Sequence, residues 1–133
     1  MAGIVVADTL QADSTSTLVL KNGVANTPPT VQDSAGTQIG TFCRAWVNFN
    51  GTGTVAIRAS FNVSSITDGG VGIYTVNFTT AMSDANYAGV VGVDDGLRPG
   101  INSGATSSAF GVTARNNSNV LTDSTTVAVT IFR

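Results

Sequence analysis

The chain has 133 residues, which is enough for one folded core, alone or with an arm, and leaves no room for a second core. Hydrophobic residues make up 42% and charged residues 11%, with no Glu, no His and Lys21 as the single lysine. Long charged side chains that solvate helical surfaces are missing while Thr, Ser, Asn, Gly and Val abound, so the composition predicts strands and turns with essentially no helix.

A net charge of -2 without a basic stripe speaks against a nucleic-acid partner, and none is expected. No stretch approaches the length of a membrane span, and Met1–Asp8 lacks the basic start and long apolar run of a signal peptide, so no membrane insertion is expected. So few charges protect a monomer weakly against association, and a homo-oligomer that hides part of its surface is expected.

Residues 1–40 read as an N-terminal attachment arm: Ser and Thr are dense at Asp13–Thr17, and Pro28-Pro29 interrupts any helix or central strand. Two apolar runs, Ile4-Val5-Val6 and Leu18-Val19-Leu20, are the candidate attachment residues, able to add edge strands to another protein or a sister subunit. Fully extended, forty residues reach on the order of 130 Å. A loose tail, or a hairpin packed on its own domain, is the competing reading.

Residues 41–133 read as a β-sandwich knob. Trp46, Val47 and Phe49 lead into the turn Asn50-Gly51-Thr52-Gly53, and Val55, Ile57, Ala59, Phe61 and Val63 then alternate in a second strand. After Asp68-Gly69-Gly70, a third strand alternates Tyr74, Val76 and Phe78 with Ile73, Thr75, Asn77 and Thr79. A fourth is predicted at Tyr87–Val93, followed by an ordered excursion from Asp94 to Gly104. Phe110 and Val112 mark a fifth at Ser107–Ala114, and Val127, Val129 and Ile131 a sixth at Thr126–Phe132. Six such strands suggest a small antiparallel sandwich or jelly-roll-like domain.

Antiparallel strands alternate their connections between two ends. By this count Asn50–Gly53, Thr80–Asn86 and Asn116–Asp123 lie at the end away from the arm. Asp68–Val71 and Asp94–Gly104 lie where the arm enters. The distal tip then offers Asn50, Thr52, Ser83, Asp84, Asn86, Tyr87, Asn116, Asn117, Asn119 and Asp123 as candidate contacts. The composition suits hydrogen bonding to glycans, and is also that of any set of β-turns.

Catalytic constellations are absent. With no His or Glu, acid–base work falls to Asp, Tyr74, Tyr87 or Lys21, and no pair of these forms a recognisable motif. Asp94-Asp95 with Asp84 or Asp123 has neither the EF-hand spacing nor a repeat-type metal motif, so turn-forming Asp is the reading taken. Neither metal, cofactor nor enzymatic role is expected. Cys43, the only cysteine, reads as a small buried apolar residue beside Ala45, Val47 and Phe49, and the fold is compatible with assembly in a reducing cytoplasm.

Arg44 beside Trp46, and Arg58 in the middle of an apolar alternation, point to a subunit interface. On simple alternation Arg58 shares a small polar face with Ala56, Ser60 and Asn62, suited to a three-fold axis or to solvent.

The stretch Arg44 to Val90, RAWVNFNGTGTVAIRASFNVSSITDGGVGIYTVNFTTAMSDANYAGV, resembles a segment that recurs in short tail-fibre and other virion-appendage proteins of tailed phages, notably those of marine and cyanobacterial hosts. The likeness begins nearer Asp33 and fades after Val90, covering less than half of the chain. In that family the second turn reads closer to Asp-Asn-Gly than Asp68-Gly69-Gly70. The resemblance implies a non-enzymatic virion structural protein, trimeric, with a small β domain, and supplies no binding motif to carry over. On this reading residues 1–40 attach to tail or capsid proteins and the distal loops contact a host-surface glycan. Capsid decoration, with the arm clamped onto the shell, is the alternative, and a free carbohydrate-binding module the third.

Overall fold

The structure, a computed structural model, describes residues 20, 23, 28–94, 96–102 and 104–133. Of the candidate attachment residues, Ile4, Val5, Val6, Leu18 and Val19 lie outside the described residues; Leu20 lies within them and is exposed.

β1 (Val31–Gln32) and β2 (Gln38–Gly40) form a two-stranded ribbon. Its turn is closed by the Asp33 carboxylate, which accepts the amides of Ala35 and Thr37 at 2.9 Å each. Eight strands follow: β3 (Cys43–Asn50), β4 (Ala56–Phe61), β5 (Val63–Asp68), β6 (Ile73–Phe78), β7 (Ala88–Val93), β8 (Arg98–Ile101), β9 (Ala109–Arg115) and β10 (Val127–Phe132). They make two antiparallel four-stranded sheets, β4-β3-β10-β7 and β5-β6-β9-β8. The fold is the expected all-β antiparallel sandwich, without helix among the described residues.

The core lies between the sheets and follows the period-2 pattern of their central strands. Ala45, Val47 and Phe49 of β3 and Val127, Val129 and Ile131 of β10 face Tyr74, Val76 and Phe78 of β6 and Phe110, Val112 and Ala114 of β9; all are buried. Phe49 meets Tyr74 edge-on at 5.2 Å, and Tyr87 bridges Phe78 and Phe110 at 5.8 and 5.9 Å. Cys43, at the sheet margin, is half-buried.

Two strands beyond the predicted six change the topology. The run Val55–Val63 is not one strand: at Asn62 the chain adopts a φ of 55°, leaves the first sheet and reverses into the second. Asn is among the few non-glycine residues that tolerate this left-handed conformation. Its side chain holds the corner, donating to the carbonyls of Arg44 (3.0 Å) and Thr80 (3.1 Å) and accepting the Thr80 amide at 2.7 Å. The second addition is β8, inside the excursion after Asp94, which pairs with β9 from Arg98↔Arg115 to Ile101↔Val112.

Each added strand adds one reversal. The far end, opposite Cys43 and Arg133, therefore carries the connections 51–55, 69–72, 94–97 and 116–126. The near end carries the Asn62 corner and the connections 79–87 and 102–108. Asp68–Val71 thus lies at the far end rather than the near one, as does the start of the Asp94–Gly104 excursion, which returns to the near end only through β8, and Thr80–Asn86 lies at the near end rather than the tip.

Candidate functional site

The far end is held by one buried side chain. Tyr74, fully buried on β6, extends its hydroxyl into the space between three loops. That oxygen lies 3.0 Å from the Gly51 carbonyl and 3.1 Å from Asp123 Oδ1, with the Ser124 amide pointing at it from 3.4 Å. Asp123 Oδ1 also accepts the Gly72 amide at 2.7 Å, and the Gly51 amide donates to the Ser124 carbonyl at 2.9 Å. Glycine at position 51 is required by this closeness, since a Cβ there would sit 2.5 Å from the phenol oxygen. Burial pushes the Tyr74 pKa up to about 12, with the Ser124 amide opposing and the Asp123 carboxylate adding to the rise.

Three loops are thereby fixed to one another, and most of their polar side chains are spent internally. Asn50 donates to the carbonyls of Thr52 (2.6 Å) and Thr54 (3.2 Å), while the Thr52 hydroxyl donates to Asn50 Oδ1 at 2.9 Å. Asn116 Oδ1 accepts the amides of Ser118 and Val120 at 3.0 Å each. Arg98 donates to the carbonyls of Asn116 (2.9 Å) and Asn117 (2.8 Å), and Arg115 to that of Asn119 (3.0 Å). Asn117, Ser118 and Asn119 are exposed, followed by the exposed Val120, and Val71 is exposed on the 69–72 loop that Gly72 ties to Ala114 and Asp123. The result is a rigid platform with exposed amides and a hydroxyl together with two apolar surfaces. No group of side chains able to hold a metal is found among the described residues.

The remaining predicted tip residues are not on this platform. Ser83, Asp84, Asn86 and Tyr87 lie at the near end, where the Asp84 carboxylate accepts the Asn86 amide at 2.7 Å and pairs with Arg133. The Asn86 bond and the Arg133 cation hold the Asp84 carboxyl below the usual carboxylate range. Tyr87 pins the near end from inside, its hydroxyl reaching the carbonyls of Ala109 (2.7 Å) and Thr106 (3.0 Å), and burial pushes its pKa up.

Of Arg44, Trp46 and Arg58, predicted together as interface residues, Arg44 is the extra residue where the β3–β10 register shifts and lies toward the near end with Asn62, Thr80 and Ser83, whereas Trp46 and Arg58 share the outer face of β4-β3-β10-β7. Arg58 reaches it because the β3–β4 register shifts after Asn48, leaving Arg58 unpaired as the extra residue of a bulge. Its guanidinium bonds Asn48 Oδ1, Thr126 Oγ1 and the Phe49 carbonyl at 3.3 Å each, and the Thr125 carbonyl at 2.6 Å. It therefore does not lie with Ser60, which opposes the inward Val47. Phe61, the last large apolar residue of the predicted second-strand alternation before Val63, pairs with Trp46 and points outward with it, 55% and 39% exposed. Val90, opposite Thr130 on β7, extends the same row.

No known protein family matches the chain, and no curated protein does. Among solved structures, the fold is similar to the tailspike of phage phiAB6, crystallised in complex with three-repeated oligosaccharides of Acinetobacter baumannii surface polysaccharide. The identity is 16% and the TM-score 0.52, over 88% of this chain and 30% of the tailspike. The chain thus spans under a third of that protein's length, and the likeness is one of fold.

Proposed function

We propose that the chain is a non-enzymatic structural part of a phage virion: a short tail fibre or projection, assembled as a homotrimer and joined to other virion proteins through residues 1–40. Its far end meets a host-surface glycan. The observation that carries this reading is the far-end platform, where buried Tyr74 rigidifies three loops and leaves Asn117, Ser118 and Asn119 exposed together with Val71 and Val120. Preorganised amides and hydroxyls bind sugar hydroxyls at low entropic cost. The fold likeness to a phage tailspike and the resemblance of Arg44–Val90 to virion-appendage proteins support the placement.

Cryo-electron microscopy of purified particles tests it. Density on the tail or baseplate, with the far end outward, is expected; density laid on the capsid shell overturns the reading in favour of a decoration protein. Host-polysaccharide binding by the purified protein should fall at least tenfold in an Asn117→Ala/Asn119→Ala variant.

A further inference from the structure

The two sheets end in four edge strands, and three of these carry features that block the addition of another strand. β4 has its bulge and Arg58; β5 has a register shift between Val63 and Ser65 and ends on Asp68; β8 is four residues long and contains Arg98 and Pro99. β7 has none of them. Its six residues, Ala88-Gly89-Val90-Val91-Gly92-Val93, pair with β10 without a register shift and carry neither charge nor proline. Beyond β10, no other described residue hydrogen-bonds their backbone. Ala88, Val90 and Gly92 are exposed, and a Cβ at Gly92 would meet nothing within 4 Å. A regular, uncharged, β-branched edge left open is a template for a further strand.

We propose that the outer edge of β7 receives the run Ala2-Gly3-Ile4-Val5-Val6-Ala7 of a neighbouring copy as a fifth strand of the β4-β3-β10-β7 sheet. The inference rests on the homo-oligomer reading above. The run matches the edge in kind: six residues, uncharged, β-branched at the centre and bounded by Asp8. Position favours the neighbour over the same chain. Leu20 lies with Pro28, Pro29, Phe42, Cys43, Arg44 and Phe61, on the β3–β4 flank, and β7 is the opposite edge of that sheet. In a closed ring one flank of each subunit meets the other flank of the next. The twelve residues between Ala7 and Leu20 can span up to about 40 Å, enough for the run to leave its own β3–β4 flank and reach a subunit that adjoins it. To reach its own β7, the segment must cross three inter-strand spacings, about 15 Å, over the Trp46 face.

The test is cross-linking in the full chain with Cys43→Ser as background. Chains carrying Val5→Cys and differently tagged chains carrying Gly92→Cys are co-expressed and treated with a short bis-maleimide, with Val5→Cys and far-end Thr52→Cys as the control pair. Adducts between the two tagged chains, at least tenfold above the control, are expected. If the two tagged chains give no adduct while a third chain carrying both Val5→Cys and Gly92→Cys cross-links within itself, or if adducts form between two Gly92→Cys chains, the proposal is overturned in favour of a folded-back segment or a β7–β7 pairing. Sedimentation of the same samples separates the two levels. An intact oligomer without the adduct sinks this proposal alone, whereas a monomer sinks the homo-oligomer reading and the proposal with it.

Discussion

Tyr74→Phe removes one oxygen and little else, because the ring and its edge-on contact with Phe49 at 5.2 Å are retained. The oxygen sits among the Gly51 carbonyl, Asp123 Oδ1 and the Ser124 amide, with Gly51 and Ser124 both buried. Its single proton serves one of the two acceptors. Deletion therefore strips a donor from the cluster and an acceptor from the Ser124 amide, at roughly 1–3 kcal/mol for a buried group left unsatisfied. The amide contact is long and Asp123 keeps its bond to Gly72, so the lower half of that range applies: about 1–2 kcal/mol. For a domain of this size the melting temperature should fall by on the order of 10 °C. Denaturant unfolding should show a lower midpoint at unchanged slope, and the Gly72 and Gly51 amides should exchange faster while those of β10 are little affected. A loss below about 0.5 kcal/mol, with unchanged exchange at Gly72, would refute the idea that this hydroxyl ties the loops together.

Asn62 separates backbone from side-chain effects: Asn62→Gly keeps the left-handed corner but loses three hydrogen bonds, for about 2 kcal/mol. Asn62→Ala should cost about 1 kcal/mol more through strain at φ 55°; equal melting points for the two would contradict this. Gly89→Ala places a Cβ 2.4 Å from Cζ of buried Phe110 and should destabilise by about 1–3 kcal/mol, whereas Gly92→Ala, with open space around it, should change stability by under about 0.5 kcal/mol. In alkali, Tyr74 with its pKa of about 12 stays neutral after an unfolded tyrosine, near 10, has ionised. The stability it contributes is complete below about pH 10 and is lost as pH rises towards 12. Midpoints measured across that window should fall, less steeply in Tyr74→Phe, with Tyr87 supplying the remaining part.

The central strands were legible in the sequence because each buries one face, and the side-chain period of two writes that burial directly into alternation: Val47 and Phe49, Tyr74 through Phe78, Val127 through Ile131. Edge strands follow a different rule. Val55–Val63 has the strongest alternation in the chain, yet β4 is exposed along its whole length, with Phe61 paired to the outward Trp46. Alternation shows which residues share a face but not which face the core takes, and a bulge at Arg58 exchanges even that. β8 was hidden by Pro99 and Gly100, residues that argue against a central strand and are tolerated at an edge.

Those two omissions account for the misplaced tip. A count of reversals carries one missed corner through every later connection until a second restores it. After the Asn62 corner, Asp68–Val71 and Thr80–Asn86 exchange ends; after β8 the count is right again, so Asn116–Asp123 stands where it was expected. The Asn62 corner is written in a single side chain, whose amide bonds groups eighteen residues away on either side. No window of local periodicity contains both partners. The same holds at the far end, where Tyr74 joins Gly51, twenty-three residues earlier, to Asp123, forty-nine later. Which polar residues project and which are spent on the fold is settled by these distant bonds. Asn50 and Asn116 differ from Asn117 and Asn119 in partners alone, and residue type could not have told them apart.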